Sequence, residues 1–218
     1  MVNNNESADY FKLSISGSNL DERLIKQIEF LIEVDKMKNV LRQTVLTDKS
    51  RRENDAEHSW HLALMAVVLY EYSDNPGIDL HRVIKMVLTH DLVEIYAGDT
   101  FAYDEAGQAG KPERERRAAD KLFAMLPVDQ GTELRALWVE FDEMVTPDAV
   151  FASAIDRLQP LLINYVAEGY TWKTHEGVTC DKILKRMGIV KNASPVLWNL
   201  VETLLEDSIK KGYLKDNR

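Results

Sequence analysis

The chain of 218 residues carries 36 acidic against 27 basic side chains, a formal net charge of −9, and is 45% hydrophobic and 29% charged. That is the composition of a globular protein with its own core; it excludes a disordered or collagen-like chain and disfavours nucleic acid or membrane as a partner, since phosphate surfaces reward a basic patch. The single cysteine, Cys180, excludes an intrachain disulfide and a cysteine-rich zinc site and fits a reducing compartment.

Residues 1–19 are mostly polar and read as a loose arm, followed by one domain over 20–214. Met1–Ser7 has no basic region leading into an apolar run, and no apolar stretch approaches the ~20 residues of a membrane helix, so the expected location is the cytoplasm. Asp21 is a helix N-cap by type. From there Leu24, Ile25, Ile28, Leu31, Ile32 and Val34 recur at helical spacing up to about Val40. Thr44–Asn54 reads as a charged connector. Ala56 to about Glu71 is helical, with Leu62, Met65, Ala66 and Leu69 on one face, and Ser73–Gly77 is a turn. A helix over Leu80–Val93 includes His90 and Asp91 near its end. Gly98–Lys111 holds three glycines and reads as a loop of functional length. Further helices are expected near Pro112–Met125, Thr132–Met144, Asp148–Val166, Asp181–Met187 and Pro195–Lys211, with Pro160 set to kink or break one of them. No segment sustains strict alternation and no glycine-rich phosphate loop follows a strand. The expectation is an all-α bundle of about eight helices.

Four residues stand apart from this pattern: His58, the adjacent His90 and Asp91, and Asp156. Each lies in an apolar helical segment, where a charge is costly unless it is paired or coordinated. Two imidazoles and two carboxylates on three helices point to one shared cation. That donor set suits Mn²⁺, Co²⁺, Zn²⁺ or Mg²⁺. Between positions 90 and 106 there are five acids and no lysine or arginine, a cluster that repels itself without a cation. Glu94 falls on the face of His90 if the helix continues, and Asp99 follows a glycine on a turn; both are candidates to position a water or hold a second ion.

A histidine, a later His-Asp dipeptide and a lone aspartate in a further helix resemble the pattern of the HD-domain metal-dependent phosphohydrolases. The strings Arg52-Glu53-Asn54-Asp55-Ala56-Glu57-His58-Ser59-Trp60 and His90-Asp91-Leu92-Val93-Glu94-Ile95-Tyr96-Ala97-Gly98-Asp99 are similar to the branch that contains the 5′-deoxynucleotidases, and the likeness extends over roughly 22–212. The resemblance implies His58, His90, Asp91 and Asp156 as metal ligands, and Glu94 and Asp99 as acids beside the nucleophilic water, binding further cations in some members. It implies Arg42 as a phosphate-orienting residue, with Asp99 and Thr100 also on the substrate. It implies phosphate release from deoxynucleoside 5′-monophosphates and assembly as a homodimer. Some relatives carry tryptophan after the arginine where this chain has Gln43, which leaves the base open. The alternatives are hydrolysis of another nucleotide (signalling or triphosphate), a di-iron oxygenase, and a non-catalytic nucleotide-binding protein on the same scaffold. Of the other histidines, His61 reads as a non-ligand and His81 and His175 as solvent-facing. Glu57 is expected to pair with Arg51 or Arg52. Trp138, Trp172 and Trp198 read as core or dimer contacts.

Overall fold

The computed structural model describes residues 19–217; the expected arm over 1–19 falls almost wholly outside them. Eight helices of ten or more residues form the body: α1 (Glu22–Val34), α2 (Asp55–Leu69), α3 (Leu80–Thr89), α6 (Lys111–Phe123), α7 (Val128–Glu143), α8 (Pro147–Val166), α10 (Cys180–Ala193) and α11 (Pro195–Lys210). Short helices α4 (Glu94–Ala97), α5 (Glu105–Gln108) and α9 (Tyr170–Thr174) lie in the connections. The all-α expectation holds, apart from one small hairpin.

Local chemistry sets the ends. Asp21 caps α1, its side chain accepting the Arg23 N–H at 2.9 Å. Pro112, Pro147 and Pro195 stand in the first turns of α6, α8 and α11, where a missing N–H costs nothing. The first helix stops at Val34 and tightens into a 3₁₀ turn over Asp35–Asn39, short of the expected Val40. α7 starts at Val128, ahead of the expected Thr132, and α10 runs on to Ala193.

The expected connector at 44–54 is instead part of an antiparallel hairpin, β1 (Leu41–Val45) with β2 (Arg52–Asn54), pairing Leu41 with Asn54 and Val45 with Arg52 across an irregular register. Strands of five and three residues are too short for alternation to be legible. Arg52 closes the hairpin, its guanidinium donating to the carbonyls of Leu41 and Arg42.

α8 is the central element and packs against α2, α3, α7 and α10. Its Phe151, Ile155 and Leu158 are fully buried with Leu62 of α2 and Val83 and Met86 of α3. A smaller core gathers Phe30, Leu92, Leu122 and Phe123 under α1 and α6. Pro160 does not break α8, which is helical from Pro147 to Val166. Packing on several sides outweighs the lost hydrogen bond, and the carbonyl that loses its helical N–H is that of Asp156. Trp172 is buried, Trp198 packs on the main core and Trp138 on the smaller one, as expected; Trp138 and Trp172 also line a cavity described below. No helix among the described residues is long and apolar enough to cross a membrane.

Truncating the most enclosed ring tests this packing. Phe151→Ala should destabilise the protein by about 3–5 kcal/mol, read by chemical denaturation. A loss below about 1 kcal/mol would remove Phe151 from the core.

Candidate metal centre

Three junctions aim the polar groups inward. α2 opens with a capping box: Asn54 Oδ1 accepts the Glu57 N–H at 2.9 Å, and Glu57 Oε2 accepts the Asn54 N–H at 3.3 Å. Glu57 also grips Arg51 through two bonds of 2.7 and 2.8 Å, one of the two expected pairings. This start places Asp55 and His58 on the buried side of α2, both at 0% exposure. α3 ends at Thr89, so His90 stands at its C-cap and the expected continuation to Val93 is replaced by a tight turn before α4. Glu94, the first residue of α4, still reaches the same interior. Gly98 follows with φ 76°, a left-handed conformation that favours glycine, and turns Asp99 toward the cavity. Asp156 comes from the middle of α8.

These residues converge. His58 Nε2 lies 3.0 Å from Asp156 Oδ1 and 3.8 Å from Asp91 Oδ2; His90 Nε2 lies 3.0 Å from Asp91 Oδ2 and 3.7 Å from Asp156 Oδ1. His58, His90 and Asp156 each offer one ligand atom within 4.8 Å of the others. A second such group is formed by Asp55, Asp91 and Glu94. Asp55 is a residue that sequence reasoning missed. Its signal was present: a carboxylate three residues before His58 shares that residue's helix face.

Carboxylates crowd this interior. Asp55, Asp91, Glu94, Asp99 and Asp156 face Arg42, whose Nη1 donates to Asp91 Oδ2 at 2.9 Å and Asp55 Oδ1 at 3.3 Å. Burial, then the Asp91 charge, pushes the Asp55 carboxyl up to about 7. Burial and the neighbouring Asp91 and Asp55 push Glu94 well above the carboxylate range. Burial also raises Asp99, against the opposing pull of Arg42. Burial by itself would lower His90, but Asp91 and Asp156 outweigh it and carry the imidazole up to about 10. Asp156 is held far below its ordinary value because, against burial, His58 hydrogen-bonds to it and the His90 and His58 charges attract it. The buried atoms His90 Nε2, Asp55 Oδ2 and Glu94 Oε2 make no hydrogen bond of acceptable geometry. A divalent cation fits this donor set: it would satisfy those atoms and take the place of the imidazole protons.

A second tier of residues, also unforeseen, orients the first. Gln159 is fully buried; its Nε2 donates to Glu53 Oε1 at 2.7 Å and lies 3.3 Å from His61 Nδ1. Its Oε1 therefore faces His58 Nδ1 at 3.2 Å as an acceptor, which assigns a proton to Nδ1 and leaves Nε2 as the atom that would give up its proton to a cation. His90 is arranged alike, with Nδ1 2.9 Å from the Val87 carbonyl. His61 thus meets Gln159 rather than the centre. Glu53 Oε2 also lies 3.7 Å from Arg42 Nε.

The centre forms one wall of a cavity of about 230 Å³ lined by Arg42, His90, Asp91, Glu94, Asp99, Thr100 and Asp156. Thr100 Oγ1 accepts from Arg114 at 3.3 Å. Lys111 on the same lining has its ammonium pKa raised, with Glu115 and Glu94 outweighing burial. Gln43 and Phe101 complete one side, and here an expectation is corrected. His81 is exposed, but His175 is half-buried, its Nε2 3.2 Å from Gln43 Oε1 and its ring stacked at 4.5 Å on Phe101. A composition-based reading of its polar loop could not anticipate that packing.

The model of an HD domain matches residues 34–198, and the chain belongs to the HD-domain family. It is similar over 88% of its length to a solved structure described as a predicted metal-dependent phosphohydrolase from Magnetospirillum magnetotacticum, at 52% identity and a TM-score of 0.84, covering 95% of that chain. It is 28% identical over 136 residues to the 5′-deoxynucleotidase HDDC2 of Homo sapiens, 62% of this chain and 65% of that protein's length. It is 24% identical over 168 residues to the 5′-deoxynucleotidase hdd1 of Schizosaccharomyces pombe, 75% of this chain and 74% of that one.

Metal added to chelator-treated protein should raise its melting temperature; at one hundred times Kd the gain is about 2.7 kcal/mol. An unchanged melting temperature with Mn²⁺, Co²⁺, Mg²⁺ and Zn²⁺ would count against a cation here. Gln159→Leu should weaken metal binding about 10–100-fold in a calorimetric titration.

Proposed function

We propose that this protein is a metal-dependent phosphohydrolase that releases phosphate from deoxynucleoside 5′-monophosphates. The observation that carries the reading is the convergence of His58, His90, Asp91 and Asp156, the last three lining a cavity that Arg42 also lines. The named relatives favour a nucleotide as substrate, and the cavity is of small-molecule size. The fully buried Cys180 and the net charge of −9 fit a cytoplasmic enzyme of small molecules.

In this reading His58, His90, Asp91 and Asp156 hold the ion, with Asp55 and Glu94 able to hold a second beside Asp91. A divalent ion there polarises a phosphoryl oxygen and lowers the pKa of bound water. The water oxygen bonds to phosphorus, the bond from phosphorus to the 5′ oxygen breaks, and one proton of the water ends on the departing nucleoside hydroxyl. Glu94 and Asp99, whose burial raises them toward proton-accepting strength, aim and deprotonate that water. Arg42 turns its guanidinium from the carboxylates to the phosphoryl oxygens once cations neutralise its partners. Asp99 and Thr100 contact the nucleoside.

Metal-loaded protein incubated with a panel of nucleotides should release inorganic phosphate from deoxynucleoside 5′-monophosphates; no release with Mn²⁺, Co²⁺ or Mg²⁺ would defeat the reading. Asp156→Ala should lose metal and turnover beyond the ~10–100-fold cost of an outer-shell change. Glu94→Ala and Asp99→Ala should keep the ion bound through the four ligands and lose about 10²–10⁴ in rate.

We also propose that the chain forms a homodimer through α2. Trp60, Leu64, Val67 and Val68 share one exposed stripe, Trp60 at 65%. These four side chains are uncharged, so two copies of the chain can bury them against one another, as a two-fold interface requires. Val67→Glu should convert the dimer to monomer in light scattering; a wild-type monomer would refute it.

A further inference from the structure

The cavity holds two cations that the reaction above leaves unused. Arg157 follows Asp156 on α8, and Arg186 lies on α10, which packs against α8; both line the cavity. Arg157 Nη1 donates to the Arg186 carbonyl at 3.0 Å, and its Nη2 to Met144 Sδ at 3.0 Å. Neither acceptor carries a formal charge.

Among the described residues neither guanidinium forms an ion pair with a carboxylate, although acids outnumber bases in this chain. Most other arginines pair with a carboxylate, as Arg23 does with Asp129, Arg51 with Glu57, Arg82 with Glu140 and Arg135 with Asp120, whereas Arg52 and Arg114 donate to backbone carbonyls. Arg157 is half-buried as well. A partly desolvated cation that hydrogen-bonds only uncharged acceptors is costly, and a second cation nearby adds to the cost. Burial, then the neighbouring Arg186, lowers the Arg157 pKa, outweighing the pull of Asp156. Tyr103 closes this side of the cavity, its ring edge-on to Phe101 at 5.3 Å. Its phenol is pushed up to about 12 by burial, against the pull of Arg186 and Arg157.

We propose that Arg157 and Arg186 form a second anion subsite, so that the favoured substrate carries a second phosphoryl group besides the one presented to His58, His90, Asp91 and Asp156. The inference rests on the phosphohydrolase reading and shifts its favoured substrate from a simple 5′-monophosphate to a nucleotide with a second phosphoryl group. Two adjacent guanidiniums match a dianion through forked hydrogen bonds. The same lining carries Asp91, Glu94, Asp99 and Asp156, so a substrate with more negative charge needs a cationic anchor to enter. The second group comes either from a 5′-diphosphate chain or from a phosphate on the 3′ oxygen.

Trp138 and Trp172 line the cavity and report binding by fluorescence. Chelator-treated protein is titrated with dAMP, dADP, 2′-deoxyadenosine 3′,5′-bisphosphate and dGMP. Wild type should bind dADP or the bisphosphate at least about tenfold more tightly than dAMP; which of the two gains shows where the second phosphate lies. In Arg186→Gln, and further in Arg157→Gln/Arg186→Gln, that ratio should collapse to within about threefold. Arg186 is exposed, so its single variant should fold even if the double variant does not. A wild-type ratio near one, or a ratio that the variants leave unchanged, overturns the subsite. So does a preference for dGMP over dAMP that vanishes in the variants, since it would give the arginines to the base edge. If no nucleotide is hydrolysed with metal but the ratio behaves as stated, the phosphohydrolase reading fails and the subsite stands. Hydrolysis of monophosphates with no such ratio sinks the subsite alone.

Discussion

Five carboxylates, two imidazoles and one arginine share a largely dry interior, and their mutual electrostatics govern the rest of the molecule. Asp55, Asp91, Glu94, Asp99 and Asp156 cannot all ionise beside one another on the strength of Arg42. The cation-free protein meets the conflict by protonation: Asp55 and Glu94 are pushed up, and His90 is held charged between Asp91 and Asp156. Those same shifts suit the cluster to a cation. Where burial and like charge oppose ionisation, a divalent ion is worth more than any single side-chain partner.

The fold supplies what such a cluster needs, which is rigidity from apolar packing close behind it. Asp156 lies on the same helix as Phe151, Ile155 and Leu158, all buried in the main core. His58 precedes Leu62 on α2, and His90 terminates the helix that buries Val83 and Met86. The ligands therefore inherit their spacing from helix packing. Their ring orientations are set by Gln159 and the Val87 carbonyl, neither of which faces the cavity as a ligand. Glu53 links the two tiers, since it receives Gln159 and lies beside Arg42.

The hairpin has a similar purpose. β1 and β2 place Arg42 beside the end of α3 and hand Asn54 to α2 as its cap. The Arg52 contacts to the Leu41 and Arg42 carbonyls hold the strand that carries Arg42. Two short strands thus join the capping of the helix that bears His58 to the positioning of the cation nearest the carboxylates. The unpaired Arg157 and Arg186 give the same cavity opposite polarity elsewhere on its lining, a division that suits a ligand with two anionic groups.

Much of this was written in the linear pattern. Helical periodicity, capping residues and first-turn prolines define the long helices, because those signals act over a few neighbouring residues. His58, His90, Asp91 and Asp156 are conspicuous because charge inside an apolar stripe demands a partner. The short hairpin, the break of α3 at His90 and the unbroken passage of α8 through Pro160 were beyond that reach, since packing from distant segments decides them against local preference. Glu53, Gln159 and the arginine pair look like ordinary polar residues along the chain, and Asp55 is marked there only by sharing a helix face with His58. Only tertiary structure, by removing water from around them and bringing them within a few ångströms of groups far away in sequence, makes them part of one site.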